Sequence, residues 1–192
     1  ALIERFQVTR IVFTGVAGGL APGVQVGDVV VASSFVQHDM DASPIFPCYE
    51  LPLYGRSVIA CDEDLSALLF DAARHHLAMT AAGSATPGVV VTHRVHRGLI
   101  ASGDQFVSAA AQSTALRRAL QSAGHEALAV EMEGAAVAQV CLDYGVPFAA
   151  IRTISDRADD QAHRDFKEFV SEVASRYAHA IIERVLCLLP KE

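Results

Sequence analysis

Short apolar runs alternate along the chain with stretches in which apolar residues recur every third or fourth position. The runs read as buried strands. Arg10-Ile-Val-Phe-Thr14 is stopped by Gly15, and Asp28-Val-Val-Val-Ala32 follows. Val89-Val-Val-Thr92 begins a strand pair that continues to His96-Arg-Gly-Leu-Ile-Ala101, and Ala127-Leu-Ala-Val130 and Val146–Ile154 complete the set. The periodic stretches read as helices. Residues 1–8 resemble a helix tail, and residues 62–75 open with acids that suit the positive end of a helix dipole. Further helices are predicted over 113–121, over 133–144 with Gly145 as C-terminal cap, and over 166–189. The last places Phe169, Val170, Val173, Tyr177, Ile181 and Val185 on one face. Between the strands, Gly15 to Gly23 reads as a glycine-rich loop and residues 37–56 as a long loop without periodicity. Loops that long are usually functional or interfacial. Strands alternating with helices predict an α/β domain with a parallel or mixed sheet covered on both faces. Ligands of such folds sit past the carboxyl ends of strands, which selects residues 14–19, 131–133 and 155–156.

Composition narrows the partner. The 192 residues carry 15 Lys and Arg against 22 Asp and Glu, a net charge of −7. That balance disfavours contact with phosphate backbones. Aromatics are 7% and tryptophan is absent, so platforms for stacking nucleic acid are scarce. With 52% hydrophobic residues and a mean hydropathy of +0.30, the chain is too apolar for disorder. The pattern therefore favours a small-molecule partner and no nucleic acid. No apolar stretch reaches a membrane span of about 18 residues, and the N-terminus lacks a signal-peptide layout and an initiator methionine. We expect a cytoplasmic chain, with no membrane partner, whose start is processed or truncated. Cys48, Cys61, Cys141 and Cys187 form no CxxC pair, and reduced, structural thiols are expected, Cys141 and Cys187 lying in apolar runs.

Three segments carry candidate chemistry. The glycines of 15–23 permit tight turns and a close approach to a ligand, or a plain structural turn; no Walker or dinucleotide pattern is present. Glu131-Met132-Glu133 follows an apolar run and opens a helix. Its acids complement the helix dipole, or, being two apart on an extended segment, turn both carboxylates the same way to accept hydrogen bonds from a vicinal diol. Ser155-Asp156 ends a strand. Either residue is a good helix N-cap; alternatively a carboxyl half-buried there has its pKa raised by desolvation and acts as a general acid. His93 and His96, His38, Asp39 and Asp41, and the acids and His163 after Asp156 match no metal-ligand signature, so no metal and no cofactor are expected. No GxSxG elbow is present.

Taken in order, Thr14–Pro22, Val26-Gly-Asp28, Ala101-Ser-Gly-Asp-Gln-Phe106, Ala129-Val-Glu-Met-Glu133 and Arg152-Thr-Ile-Ser-Asp156 resemble the nucleoside phosphorylase superfamily. The likeness is greatest to its hydrolytic branch, the 5′-methylthioadenosine/S-adenosylhomocysteine nucleosidases. The resemblance implies a three-layer α/β/α fold with a mixed, mostly parallel central sheet. It also implies hydrolysis of the N-glycosidic bond of an adenine nucleoside, in the service of methionine salvage. Ala17 and Gly18 would line the base and sugar site, Phe106 would stack on the purine, and Val107 would give it a backbone contact. Met132 would pack under the ribose, with Glu133 holding its hydroxyls and Glu131 beside it. Asp156 would protonate purine N7, Ser155 would place that aspartate, and Phe166 would close over the 5′ substituent. Phe46 would reach into a partner subunit's pocket, in a homodimer or larger assembly. Two departures accompany the likeness. The family's base glutamate lies on a first strand with no counterpart here, so the 192 residues read as one N-terminally incomplete domain. Val16 stands where relatives often carry serine, which favours water over phosphate as nucleophile. A phosphate-dependent purine nucleoside phosphorylase and a non-catalytic nucleoside-binding subunit are the alternatives.

Overall fold

The computed structural model describes residues 1–83, 93–159 and 174–189. In chain order the elements are α1 (Leu2–Phe6), β1 (Ile11–Gly19), β2 (Val29–Gln37), β3 (Val58–Ala60), α2 (Glu63–Gly83), β4 (Val95–Ser102), α3 (Ala110–Ser122), β5 (Ala127–Glu131), α4 (Gly134–Tyr144), β6 (Phe148–Asp156) and α5 (Ser175–Leu188). The predicted strand over 89–92, the helix over 166–173 and Phe166 lie outside the described residues.

The unbroken apolar run of β2 shows why a strand can dispense with polar alternation. Val29 and Val31 pack with Leu65, Leu69, Ala72 and Ala73 of α2 and with Ile181 and Val185 of α5. Val30 and Ala32 point the other way, into a cluster with Ala135, Ala138 and Cys141 of α4. Both faces are thus covered by helices, and each residue of the run Val29–Ala32 needs an apolar side chain. The amphipathic stripe read at Tyr177, Ile181 and Val185 is realised in α5, where Ile181 and Val185 are buried and the Tyr177 ring packs edge-on to His76.

Among the described residues, six strands run in the order β3-β2-β4-β5-β1-β6. The long ladders, β1 with β6 and β2 with β4, are parallel, as is β4 with β5. The β2–β3 pairing and the short contact of β1 with β5 are antiparallel. The mixed, mostly parallel sheet is as expected, but it also curls: Val29–Val31 of β2 pair antiparallel with Ile151–Thr153 of β6. The first half of β2 therefore closes the sheet on itself while its second half turns out to meet β3.

Two expectations are corrected. The glycine-rich segment is largely strand, because Gly15, Gly18 and Gly19 all take ladder positions; only residues after Gly19 form the connection to β2. The three-residue β3 was not expected, being too short to show alternation. Of the four free cysteines Cys141 is buried, but Cys187 faces solvent on α5 and is no core residue. Burial pushes the Cys61 thiol up to about 12.

The start of α4 is packed to contact. A Cβ on Gly134 would stand 2.2 Å from the Phe35 ring and 2.9 Å from Glu131 Oε1. Gly134→Ala is therefore expected to lose about 1–3 kcal/mol by overpacking. Equilibrium denaturation measures this, and an unchanged midpoint would show that Phe35 moves aside freely.

Candidate active site

The strand ends converge on one place. Gly18 of β1 pairs with Val130 of β5 on one side and with Asp156 of β6 on the other, across a bulge. Ser102, the last residue of β4, stands opposite Glu131. These ends open a cleft of about 170 Å³ lined by Val16, Ala17, Gly18, Gln105, Phe106, Val107, Val130, Glu131, Met132, Glu133, Ser155 and Asp156. Nine positions singled out in the sequence thus lie on one wall system: Ala17, Gly18, Phe106, Val107, Glu131, Met132, Glu133, Ser155 and Asp156. Phe166 is outside the described residues, and Phe46 is half-buried in the loop between β2 and β3. Gln105 and Val130 also line the cleft and were not foreseen, although both sit inside the quoted motifs.

Asp156 is held from its own strand end. It is only 2% exposed, yet it lines the cleft. Ser155 Oγ donates to its Oδ2 at 2.9 Å and the Ala158 N–H to its Oδ1 at 2.8 Å. The second bond closes an Asx turn that bends the chain sharply, and Ala158 takes a left-handed φ of 50° to complete it. Gly18 makes room for this arrangement: a Cβ there would stand 2.9 Å from Asp156 Oδ1 and 3.0 Å from Ala158 Cβ. The glycine signal in β1 is thus a requirement for close approach to the carboxylate.

The end of β6 is fixed from the other side by the turn before β2. Gly27 N–H donates to Ile154 O, and Ile154 N–H to Asp28 O, each at 2.8 Å. The buried Asp28 carboxylate accepts from the N–H groups of Gln25 and Arg94 and pairs with His96 Nε2 at 2.8 Å. This explains the Val26-Gly-Asp28 motif as scaffold: its carboxylate holds the turn to which the strand bearing Ser155 and Asp156 is bonded.

The two glutamates part company. Glu131 ends β5, is buried, and receives Arg152 Nη2 at 2.7 Å and Nε at 3.2 Å. It also accepts the N–H of Gly134 at 2.9 Å, so it serves the start of α4 as the helix-dipole reading expects. Arg152 is equally buried; it donates further to the carbonyls of Phe13 and Ile151 and lies 4.2 Å from the Phe13 ring centre. Glu133 occupies the N-cap position of α4 with φ −133° and ψ −25°, outside the strand, and its side chain is exposed. The extended geometry that would turn both carboxylates the same way ends at Glu131. Met132 between them is 38% exposed, and Phe106 across the cleft is 40% exposed, so both present apolar surface to an incoming ring.

The loop after β2 packs against the turn that follows β4. His38 and Asp39 lie over Gly103, and burial holds the His38 imidazole below its ordinary pKa. Among the described residues no group of three or more His, Cys, Asp or Glu is arranged to hold a metal ion, and none of the lining residues is a lysine or arginine.

Residues 1–186 match the profile of the Phosphorylase superfamily. A 5′-methylthioadenosine/S-adenosylhomocysteine nucleosidase of Mycobacterium bovis is 34% identical over 191 residues, which cover 94% of this chain and 72% of that protein. Among solved structures, the 5′-methylthioadenosine/S-adenosylhomocysteine nucleosidase of Neisseria meningitidis in complex with methylthio-immucillin-A superposes with a TM-score of 0.82 at 32% identity, over 98% of this chain and 73% of that one. The futalosine hydrolase of Helicobacter pylori superposes with a TM-score of 0.80 at 33% identity, over 98% and 72%.

Proposed function

The chain belongs to the phosphorylase superfamily, in the family of the 5′-methylthioadenosine/S-adenosylhomocysteine nucleosidases, and from that membership we propose that its cleft hydrolyses the N-glycosidic bond of an adenine nucleoside with a 5′-thio substituent. The observation that carries the reading is the pairing, on one cleft, of a buried carboxylate at Asp156 with an exposed one at Glu133. Breaking a ribose–purine bond builds positive charge on the sugar and negative charge on the departing base, as in other oxocarbenium-like reactions. In this reading Asp156 gives a proton to N7, so that the purine leaves neutral. Ser155 steadies the carboxyl through the Oγ–Oδ2 bond. Glu133 accepts the ribose hydroxyls and favours the electron-poor sugar, Met132 packs beneath it, and Phe106 stacks on the base with Val107 giving a backbone contact. Ala17 and Gly18 form the floor, and Glu131 acts from behind it through Arg152. The oxygen of water bonds to the anomeric carbon as its bond to purine N9 breaks, and the surplus proton of that water balances the one Asp156 gave. Val16, which lines the cleft and has no hydrogen bond to donate from its side chain, supports water over phosphate as nucleophile.

The same reading extends to Phe166 as a cover for the 5′ group and to Phe46 as a contribution to a partner subunit's site. It treats the 192 residues as one domain acting in the cytoplasm, within methionine salvage, as a homodimer or larger assembly. Ile45 and Leu53, 81% and 91% exposed on the loop that bears Phe46, support assembly. Among the described residues no helix is long and apolar enough to cross a membrane.

The test incubates the full gene-encoded protein with methylthioadenosine, S-adenosylhomocysteine and futalosine, with and without phosphate, and measures free base. Adenine released at the same rate in either buffer is the expected outcome. Release that requires phosphate and yields ribose 1-phosphate would make it a phosphorylase; tight nucleoside binding with no base released would make it a binding subunit.

A further inference from the structure

The segment His38-Asp39, which follows β2 and takes no part in the proposed chemistry, grips the turn that leads into the aromatic wall. Asp39 Oδ2 accepts the backbone N–H of Asp104 at 2.7 Å, and the His38 N–H donates to Ser102 O at 2.8 Å. Between these bonds lies Gly103, where a Cβ would meet His38 Nε2 at 2.5 Å and Asp39 Cγ at 2.9 Å. The turn is thus shaped to be covered closely by these two residues. Its inner side is held by Gly103 N–H to Glu131 O at 3.1 Å and by Ser102 Oγ, which accepts the Ala135 N–H. From Asp104 the chain passes directly into Gln105, Phe106 and Val107, which line the cleft. The carboxylate of Asp39 is therefore a side-chain anchor two residues before the stacking residue, and it reaches in from a different loop.

We propose that Asp39 is a positioning residue for the base-binding wall: by holding the Asp104 N–H it sets where Phe106 stands, and it governs affinity for the purine ring, leaving the bond-breaking step to other groups. The proposal rests on the nucleoside reading of the cleft. A charge-assisted bond to a backbone N–H fixes direction as well as distance, and an aromatic ring displaced sideways loses the offset stack with its partner. Asp39 itself touches no substrate in this account. Because it lies in the loop expected to mark a subunit interface, a partner docking there would act on the same bond.

The test measures adenine binding by titration calorimetry, which needs no turnover, together with kcat and KM. Asp39→Ala is expected to weaken adenine binding about tenfold and to raise KM in step, with kcat within about twofold, as suits loss of a bond to a charged group. Asp39→Asn, whose side-chain oxygen still accepts the Asp104 N–H, is expected to recover most of the affinity. In a Phe106→Ala background Asp39→Ala should add no further loss, since the two substitutions report one interaction. Losses that simply add in the double variant, a kcat effect with KM unchanged, or equal impairment by Ala and Asn would each overturn the proposal. If the parent chain binds no adenine at all, the nucleoside reading falls and this assignment with it; if the parent binds and Asp39→Ala binds equally well, only the assignment falls.

Discussion

Asp156→Asn is expected to leave a folded chain that binds nucleoside but releases base about a thousandfold more slowly, the middle of the range for removing a general acid. Asparagine has the shape of aspartate but no proton to give to N7. The surroundings tolerate the exchange. The side-chain oxygen continues to accept the Ala158 N–H, and the new amide donates to Ser155 Oγ, whose own proton then turns to Ala17 O, 3.4 Å away. The bonds to Ser155 and Ala158 are both kept, so the loss should fall on the rate. Single-turnover release of adenine, set beside nucleoside affinity, makes the measurement. A variant within tenfold of the parent would remove Asp156 from the role of acid.

The second large effect separates two carboxylates that stand two residues apart. Glu131→Ala strips Arg152 of its partner while the guanidinium remains 1% exposed, and an uncompensated buried charge costs about 3–5 kcal/mol. It also frees the Gly134 N–H at the start of α4. For a domain of this size the melting temperature should fall on the order of ten degrees. Glu133→Ala, changed at an exposed side chain, should melt within about two degrees of the parent and lose base release instead. Replacing both members of the buried pair, as Glu131→Leu with Arg152→Met, should restore much of the midpoint, because two apolar side chains need no partner. Equal melting temperatures for the two single variants would contradict the division. So would a double variant no better than Glu131→Ala.

Most of the strands and helices were legible because burial on both faces demands unbroken apolar runs, as at Val29–Ala32 and Phe148–Ile151. The end of β1 was not. Glycines are depleted in strands, so Gly15–Gly19 read as a loop, and only the proximity of Asp156 shows why glycines stand in a ladder there. The site was legible by order and identity of its motifs more than by spacing. Spacing alone set Glu131 and Glu133 side by side, whereas the chain leaves the strand after Glu131 and gives one acid to Arg152 and the other to the cleft. Asp28 with His96, and Asp39 with Asp104, could not be foreseen, since each joins residues more than sixty positions apart in sequence.

The order of the strands bears on how the molecule is made. Among the described residues, β1 is bonded along its length to β6, which follows the other strands in sequence, and β2 closes onto β6 as well. During synthesis at roughly 5–20 residues per second, β1 and β2 leave the ribosome well before the strand they need. Loop closure over most of the chain must precede any reward from those contacts, which makes such pairings slow. Asp156 is the final residue of that closing strand. A nascent or prematurely terminated chain therefore carries Gly18 and Phe106 without Asp156, and the arrival of Asp156 coincides with closure of the sheet.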